Sequence, residues 1–275
     1  MQIQEEKLHH IEKTYRLAIE KMQQRYEEGT GNPSDLPHSL NDTGNRSIEQ
    51  AQAASLLGKQ EEAKDAYASA AEYKRDSVQA MEDNWEEIDQ ELWEDAPALY
   101  TQAMFLALIS RDDELITEIA SEALELDDFY LDLFASEYED SPYRFYHMKV
   151  LAATIRDDPQ LEGLLDELKA EVEMMTPVSA KQFGETLTEL RVTIYELLRQ
   201  GDSEGVVSAL EEYLNRHATA TPLSTEDPNE LIDNELIALC LLAKDRGIDV
   251  TVDSPYVPNV LVPDLAKTTY VIGVC

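Results

Sequence analysis

The sequence predicts an all-α protein, an irregular array of stacked helical hairpins with a short β-prone extended segment near its end. Three observations predict it. Apolar residues recur at helical spacing through most of the 275 residues. Polar turns rich in Asp, Gly or Pro interrupt them at intervals of about 45 to 50 residues, the signature of stacked units. The clearest strand-like run, Val250-Thr251-Val252, comes late and is followed by Ser254-Pro255-Tyr256-Val257-Pro258.

Residues 1–28 are expected to form an N-terminal helix, because Leu8, Ile11, Tyr15, Ala18 and Met22 place one apolar seam along it. The seam is too short for a coiled coil and suits packing on the chain's own domain. Residues 29–46 hold three Gly and two Pro among Asn, Ser and Asp, and are expected to be a linker. The hairpin domain then runs over 47–275, with a closing motif at 231–262. Its first unit turns at Leu57-Gly58-Lys59 into Glu62-Ala63 and looks like a tetratricopeptide hairpin; later units lack that pattern's glycine and alanine positions. The second turns at Arg111-Asp112-Asp113, the third at Arg156-Asp157-Asp158-Pro159 and the fourth at Arg199-Gln200-Gly201-Asp202. An Asp before a helix accepts a hydrogen bond from a first-turn N–H, and a Pro there lacks a donor that would go unpaired anyway. Each hairpin is too small to cover its own apolar face, so neighbours must stack.

The charge balance is extreme, with 57 Asp and Glu against 22 Lys and Arg, a net charge of −35. The carboxylates are dispersed over nearly every helix, a pattern that fits adaptation to a salty cytoplasm, where screening shortens from roughly 8 Å at physiological ionic strength to about 3 Å at 1 M. The same surface would also dock a basic partner. Nucleic acid is not an expected partner, since no basic stripe is present to neutralise phosphates. Membrane association is not expected either: no apolar stretch reaches the roughly 18 residues a span requires. Two cysteines, Cys240 and Cys275, give neither a disulfide framework nor metal-ligand spacing, and a cytoplasmic location is expected.

Chemical motifs are sparse. Carboxylate pairs such as Glu86-Glu87 and Asp112-Asp113 arise by chance in so acidic a chain. The histidines, His9, His10, His38, His147 and His217, share no local metal-binding spacing, and the sequence carries no phosphate-cradling glycine loop and no GxSxG. No catalytic, cofactor-binding or metal residue is therefore assigned, and no cofactor is implied. Trp85, Trp93, Tyr138, Tyr143, Phe145 and Tyr146 are expected to pack within or between hairpins, a partner-binding patch being the alternative.

The closing segment carries a family likeness. Ile237-Ala238-Leu239, Leu242-Ala243, Gly247, Val250, Val252, Ser254, Tyr256-Val257-Pro258 and Leu261 resemble the final motif of the immunity protein 49 family, helical proteins associated with polymorphic-toxin loci. Gln200-Gly201-Asp202, Ala209-Leu210, Leu214 and His217 are similar to that family's penultimate hairpin, and 99–113 echoes it more weakly. The likeness covers 92–263, with its specific motifs mainly in 197–262; the acidity, Pro255 and the tail 268–275 depart from it. It implies a non-enzymatic antidote that binds and blocks a protein toxin, with no contact residues transferable. The motif itself is expected to be structural, Gly247 ending a helix and the Val-rich and Pro-rich segments covering it. Two other readings stand beside it: a helical-repeat scaffold for protein–protein interaction, and an enzyme whose site would bring His147 to carboxylates in a deep pocket.

Overall fold

The computed structural model describes residues 5–27, 33–175, 185–221, 223, 225, 227–262 and 270–273. The last residue of the expected N-terminal helix, 28, the first part of the expected linker, 29–32, and Cys275 lie outside these residues. The architecture is all-α. The helices are α1 Glu5–Glu27, α2 Leu36–Leu56, α3 Gln60–Asp83, α4 Ala96–Ser110, α5 Asp113–Glu125, α6 Phe129–Phe134, α7 Ser141–Arg156, α8 Leu161–Met174, α9 Glu185–Gln200, α10 Ser203–Ala220, α11 Pro228–Leu231 and α12 Asn234–Asp245. Two short strands follow, β1 Val250–Asp253 and β2 Tyr270–Gly273, paired in parallel with Val250 opposite Tyr270. The β-prone segment is thus β1, and its partner comes from the tail.

The expected hairpins are α2–α3, α4–α5, α7–α8 and α9–α10, and they share one turn device. Each first helix is followed by a residue with positive φ: Gly58 at 74°, Arg111 at 65°, Asp157 at 50° and Gly201 at 69°, with Gly247 at 78° after α12. Three of the hairpins, and α12, add the wide backbone bond of a Schellman motif: Lys59 to Ala54, Asp158 to Ala153, Asp202 to Leu197 and Ile248 to Ala243. The expected aspartate caps form where Asp112 accepts from the Leu115 N–H at 3.0 Å and Asp202 from the Gly205 N–H at 3.0 Å. Asp158 instead accepts from the Gln160 N–H at 2.8 Å, one turn ahead of α8. Lys59 stands in that place in the first hairpin and makes no side-chain cap.

Residues 36–46, expected as linker, form the first turns of α2. Pro37 suits the first turn, and Leu40, Thr43, Gly44 and Ser47 point inward at 3–4 spacing. The polar letters disguise a buried face: the Thr43 and Ser47 hydroxyls donate to the Ser39 and Thr43 carbonyls at 2.7 and 3.0 Å. Gly44 leaves room for the stem of Lys74, whose Cε lies 3.2 Å from where a β-carbon would stand.

Of the seam expected in α1, Leu8 is buried and Ile11, Tyr15, Ala18 and Met22 are half-buried, while Ile19, outside that seam, is buried as well. Lys59 at the α2–α3 turn holds both Glu12 oxygens at 2.9 Å, fastening α1 to the stack. α4 lies at the centre, packed by α3, α5, α7 and α12. All its residues are buried except Ala98 and Gln102.

Candidate functional site

Those two exceptions are exposed by a cleft of about 700 Å³. Its walls follow from helix periodicity. α4 presents Ala98, Thr101, Gln102 and Phe105, α2 presents Asn45, Ile48 and Gln52, and α7 presents Tyr143, Arg144 and His147. Arg191 of α9, His217 of α10 and the first turn of α12, Asp233-Asn234-Glu235, close the far side.

At its base the Arg191 fork grips Glu235, Nη2 lying 2.7 Å from Oε2 while Nε engages Oε1. The side chains are only 13% and 15% exposed. Burial alone would raise the Glu235 pKa, but the Arg191 guanidinium outweighs it and holds the carboxyl below its usual range; Tyr213 adds a hydrogen bond. Arg191 also donates to the Tyr143 hydroxyl at 3.2 Å. His147 sits beside this pair, its ring stacked on Tyr143 at 5.7 Å and its Nε2 3.1 Å from the Tyr195 hydroxyl. Burial, reinforced by Arg191, drops its pKa to about 4, so it is neutral at physiological pH.

Near the mouth, Asp233 caps α12 by accepting from the Leu236 N–H at 2.9 Å and meets His217 Nδ1 at 3.0 Å. Burial pulls the His217 pKa down, yet Asp233 and the Leu231 carbonyl overcome it and raise it. Tyr67 donates to Asn234 Oδ1 at 2.9 Å, joining α3 to the same corner. Gln52 is buried, and its Oε1 has no hydrogen-bond partner among the described residues.

The cleft does bring His147 beside a carboxylate. Both groups are nevertheless committed, the histidine neutral against Tyr195 and the carboxylate stabilised in its charged form, which makes each a weak acid–base catalyst near neutrality. The Cys240 thiol, pushed up to about 12 by burial, is a poor nucleophile. Among the described residues, no cluster of three His, Cys, Asp or Glu could hold a metal ion, and no helix is long and apolar enough to cross a membrane.

Of the residues singled out in sequence, His147, His217 and Tyr143 meet in the cleft; His9, His10 and His38 are exposed elsewhere. The other aromatics pack internally. Trp93 is edge-on to Trp85 at 5.2 Å and to Tyr130 at 5.8 Å, Tyr130 stacks on Phe145 at 5.5 Å, and Tyr138 tilts against Phe134 at 6.2 Å. Gln52, Arg191, Asp233 and Glu235 were not legible as a site. Arg191 left one usable signal, a charge sharing the inward stripe of Thr188, Val192 and Tyr195.

The family model for immunity protein 49 matches residues 42–261. The chain belongs to the immunity protein 49 family. The match begins within α2, upstream of the 92–263 likeness seen in the residues, and takes in every residue that lines the cleft. No curated protein and no solved structure matches the chain. The closing motif of this immunity protein 49 member holds helices together. Gly247 ends α12, and Arg246 reaches the Thr154 carbonyl and, at 2.6 Å, Asp157 at the α7–α8 turn. Val250, Val252, Tyr256 and Val257 are buried over the helix end, and the Tyr256 hydroxyl donates to the Thr221 carbonyl at 2.7 Å.

Proposed function

We propose that this chain is the antidote to a polymorphic toxin, acting without catalysis by binding the toxin and covering its working surface. The family match carries the reading: membership in an immunity family brings a toxin-immunity role in general, and the match runs from α2 to the closing motif. The fold supports complex formation. Its hairpins are fastened across the stack by Lys59 to Glu12, Arg111 to Asp245 and Arg246 to Asp157, which favours a body that keeps its shape on binding. A net charge of −35 would speed encounter with a basic toxin, an effect that weakens as salt rises. The setting we assign is a cytoplasm of high ionic strength, with the same carboxylates serving solubility there.

Co-expression tests it. A toxin encoded beside this chain is expected to arrest growth alone and to lose that effect when the chain is present, with the two proteins co-purifying. Undiminished arrest by every linked toxin would overturn the proposal. Recovery of several unrelated cellular proteins on the purified chain, with no toxin among them, would favour a scaffold instead.

A further inference from the structure

We propose that a second cavity, where the start of α3, the α4–α5 turn and the end of α12 meet, binds a small organic dianion, a phosphate monoester or a dicarboxylate. It shares no lining residue with the cleft, and the inference stands apart from the immunity reading.

Helix periodicity assembles the cavity. Gln60 and Lys64 lie four residues apart on one face of α3, and Leu241, Lys244 and Asp245 share a face of α12 at 3–4 spacing. Arg111, the left-handed residue that ends α4, and Leu261 of the closing motif complete the wall. The volume is about 300 Å³, at the small end of the range for ligand pockets.

Charge selects the occupant. The chain holds 22 Lys and Arg against 57 Asp and Glu, yet this lining reverses the balance: Lys64, Arg111 and Lys244 stand against Asp245 alone. That carboxylate is committed to Arg111, its Oδ1 and Oδ2 accepting from Nη2 and Nη1 at 2.6 and 2.9 Å. Glu61, outside the lining, approaches Lys64 at 3.6 Å, but its side chain is 82% exposed, where water screens the pair. Three cations against one carboxylate leave an excess of two positive charges in the lining of a molecule whose net charge is −35.

Donor chemistry agrees. Ammonium and guanidinium groups donate hydrogen bonds and accept none, so the lining suits a ligand rich in acceptor oxygens. A phosphate monoester carries close to two negative charges near neutrality, and a dicarboxylate is doubly ionised there as well. An amine would meet the same positive excess and bring only donors. Leu241 and Leu261 supply the apolar part of the lining, beside which the carbon body of the ligand rests.

The test uses the full chain at fixed ionic strength with phenyl phosphate and phthalate as the two dianion probes, followed by NMR chemical-shift perturbation. Benzoate serves as the monoanion and benzylamine as the cation. At least one dianion is expected to saturate and to shift the Gln60 side-chain amide, with benzoate about tenfold weaker and benzylamine not saturating. Saturation by phenyl phosphate alone assigns a phosphate, and by phthalate alone a dicarboxylate. Elsewhere the acidic surface repels such probes, so saturable binding reports on this cavity.

Lys64→Gln removes one cation and is expected to weaken the dianion about tenfold, the loss typical of a hydrogen bond to a charged group. Gln60 reads the sign: Gln60→Lys is expected to tighten binding roughly threefold and Gln60→Glu to weaken it by a similar factor. Circular dichroism of each variant verifies that the fold is retained. The proposal is overturned if neither dianion saturates, if benzylamine binds as well as they do, or if the two Gln60 variants fall in the opposite order. Shifts confined to the cleft around Gln102, with Lys64→Gln binding unchanged, overturn the placement.

Discussion

Lys74 and Lys149, in the first hairpin and the middle of the stack, are buried against neutral oxygens, whereas Arg191 and Glu235, where the stack closes, are buried against each other. Lys74 Nζ meets the Asn41 and Asn45 Oδ1 atoms at 2.5 and 2.6 Å. Lys149 Nζ meets the Leu124 and Leu126 carbonyls at 2.6 Å each, at the end of α5, and lies 5.1 Å from the Phe145 ring centroid. Burial pushes both lysines down to about 8. The ion pair behaves differently: Glu235 moves down and Arg191 up, so neither titrates near neutrality. A lone ammonium can tie a helix end to its neighbour at the cost of becoming pH-sensitive, while a matched pair is insensitive to pH but fails badly if split.

Splitting that pair should have the largest effect. Arg191→Met leaves the Glu235 carboxylate buried without its cation and is expected to cost about 3–5 kcal/mol. Urea unfolding monitored by circular dichroism would measure it. The double variant Arg191→Met/Glu235→Leu is expected to recover most of the loss, because no charge is then stranded. Equal losses in the single and double variants would show that Arg191 matters through its packing instead.

The lysines sharpen the contrast. Lys149→Met strips a donor from two carbonyls at the α5 terminus and is expected to cost about 1–3 kcal/mol at neutral pH. Its pH signature is distinctive. In the unfolded chain the lysine holds its proton to about 10.5, but in the fold it begins to release it near 8. Between those values the unfolded state binds more protons, so this lysine makes stability rise with pH. Cys240 acts the other way above pH 9, its thiol being raised from 9.0 to about 12 by burial. The difference between wild type and Lys149→Met cancels the cysteine and isolates the lysine. A difference that stays constant from about pH 7 to about pH 10 would mean that Lys149 is not under strain from burial.

The hairpins were legible because their stop signals are local. Arg111-Asp112, Asp157-Asp158 and Gly201-Asp202 each pack a left-handed residue and an acceptor into two positions, and the structure uses all three pairs at turns. The start of α2 was not, because Thr43, Gly44 and Ser47 look like turn residues until their hydroxyls are seen bonded within the helix and the glycine is seen under Lys74. The cleft was less legible still. Its members run from Asn45 to Glu235 and meet only through tertiary packing. His147 and His217 stood out by residue type, but Gln52 becomes unusual only once its burial and its missing partner are known.

His217 lies between the two designs, and removing it should have the smallest effect of the three. It has a carboxylate partner, like Arg191, yet, like the lysines, it makes stability depend on pH. Asp233 at 3.0 Å and the Leu231 carbonyl raise its pKa against the opposing pull of burial. A base whose folded pKa is raised contributes fully below its unfolded pKa, and loses that contribution as pH climbs through the folded value. The slope is therefore opposite to that of Lys149. His217→Gln is expected to cost about 0.5–1 kcal/mol in acid, where the charged pair is complete, and less at about pH 8. Thermal unfolding of both proteins from about pH 5 to about pH 8 reads the convergence. If the curves instead diverge with rising pH, the ring works as a neutral spacer against Tyr256, whose ring it meets edge-on at 5.0 Å, and the Asp233 contact contributes nothing to stability.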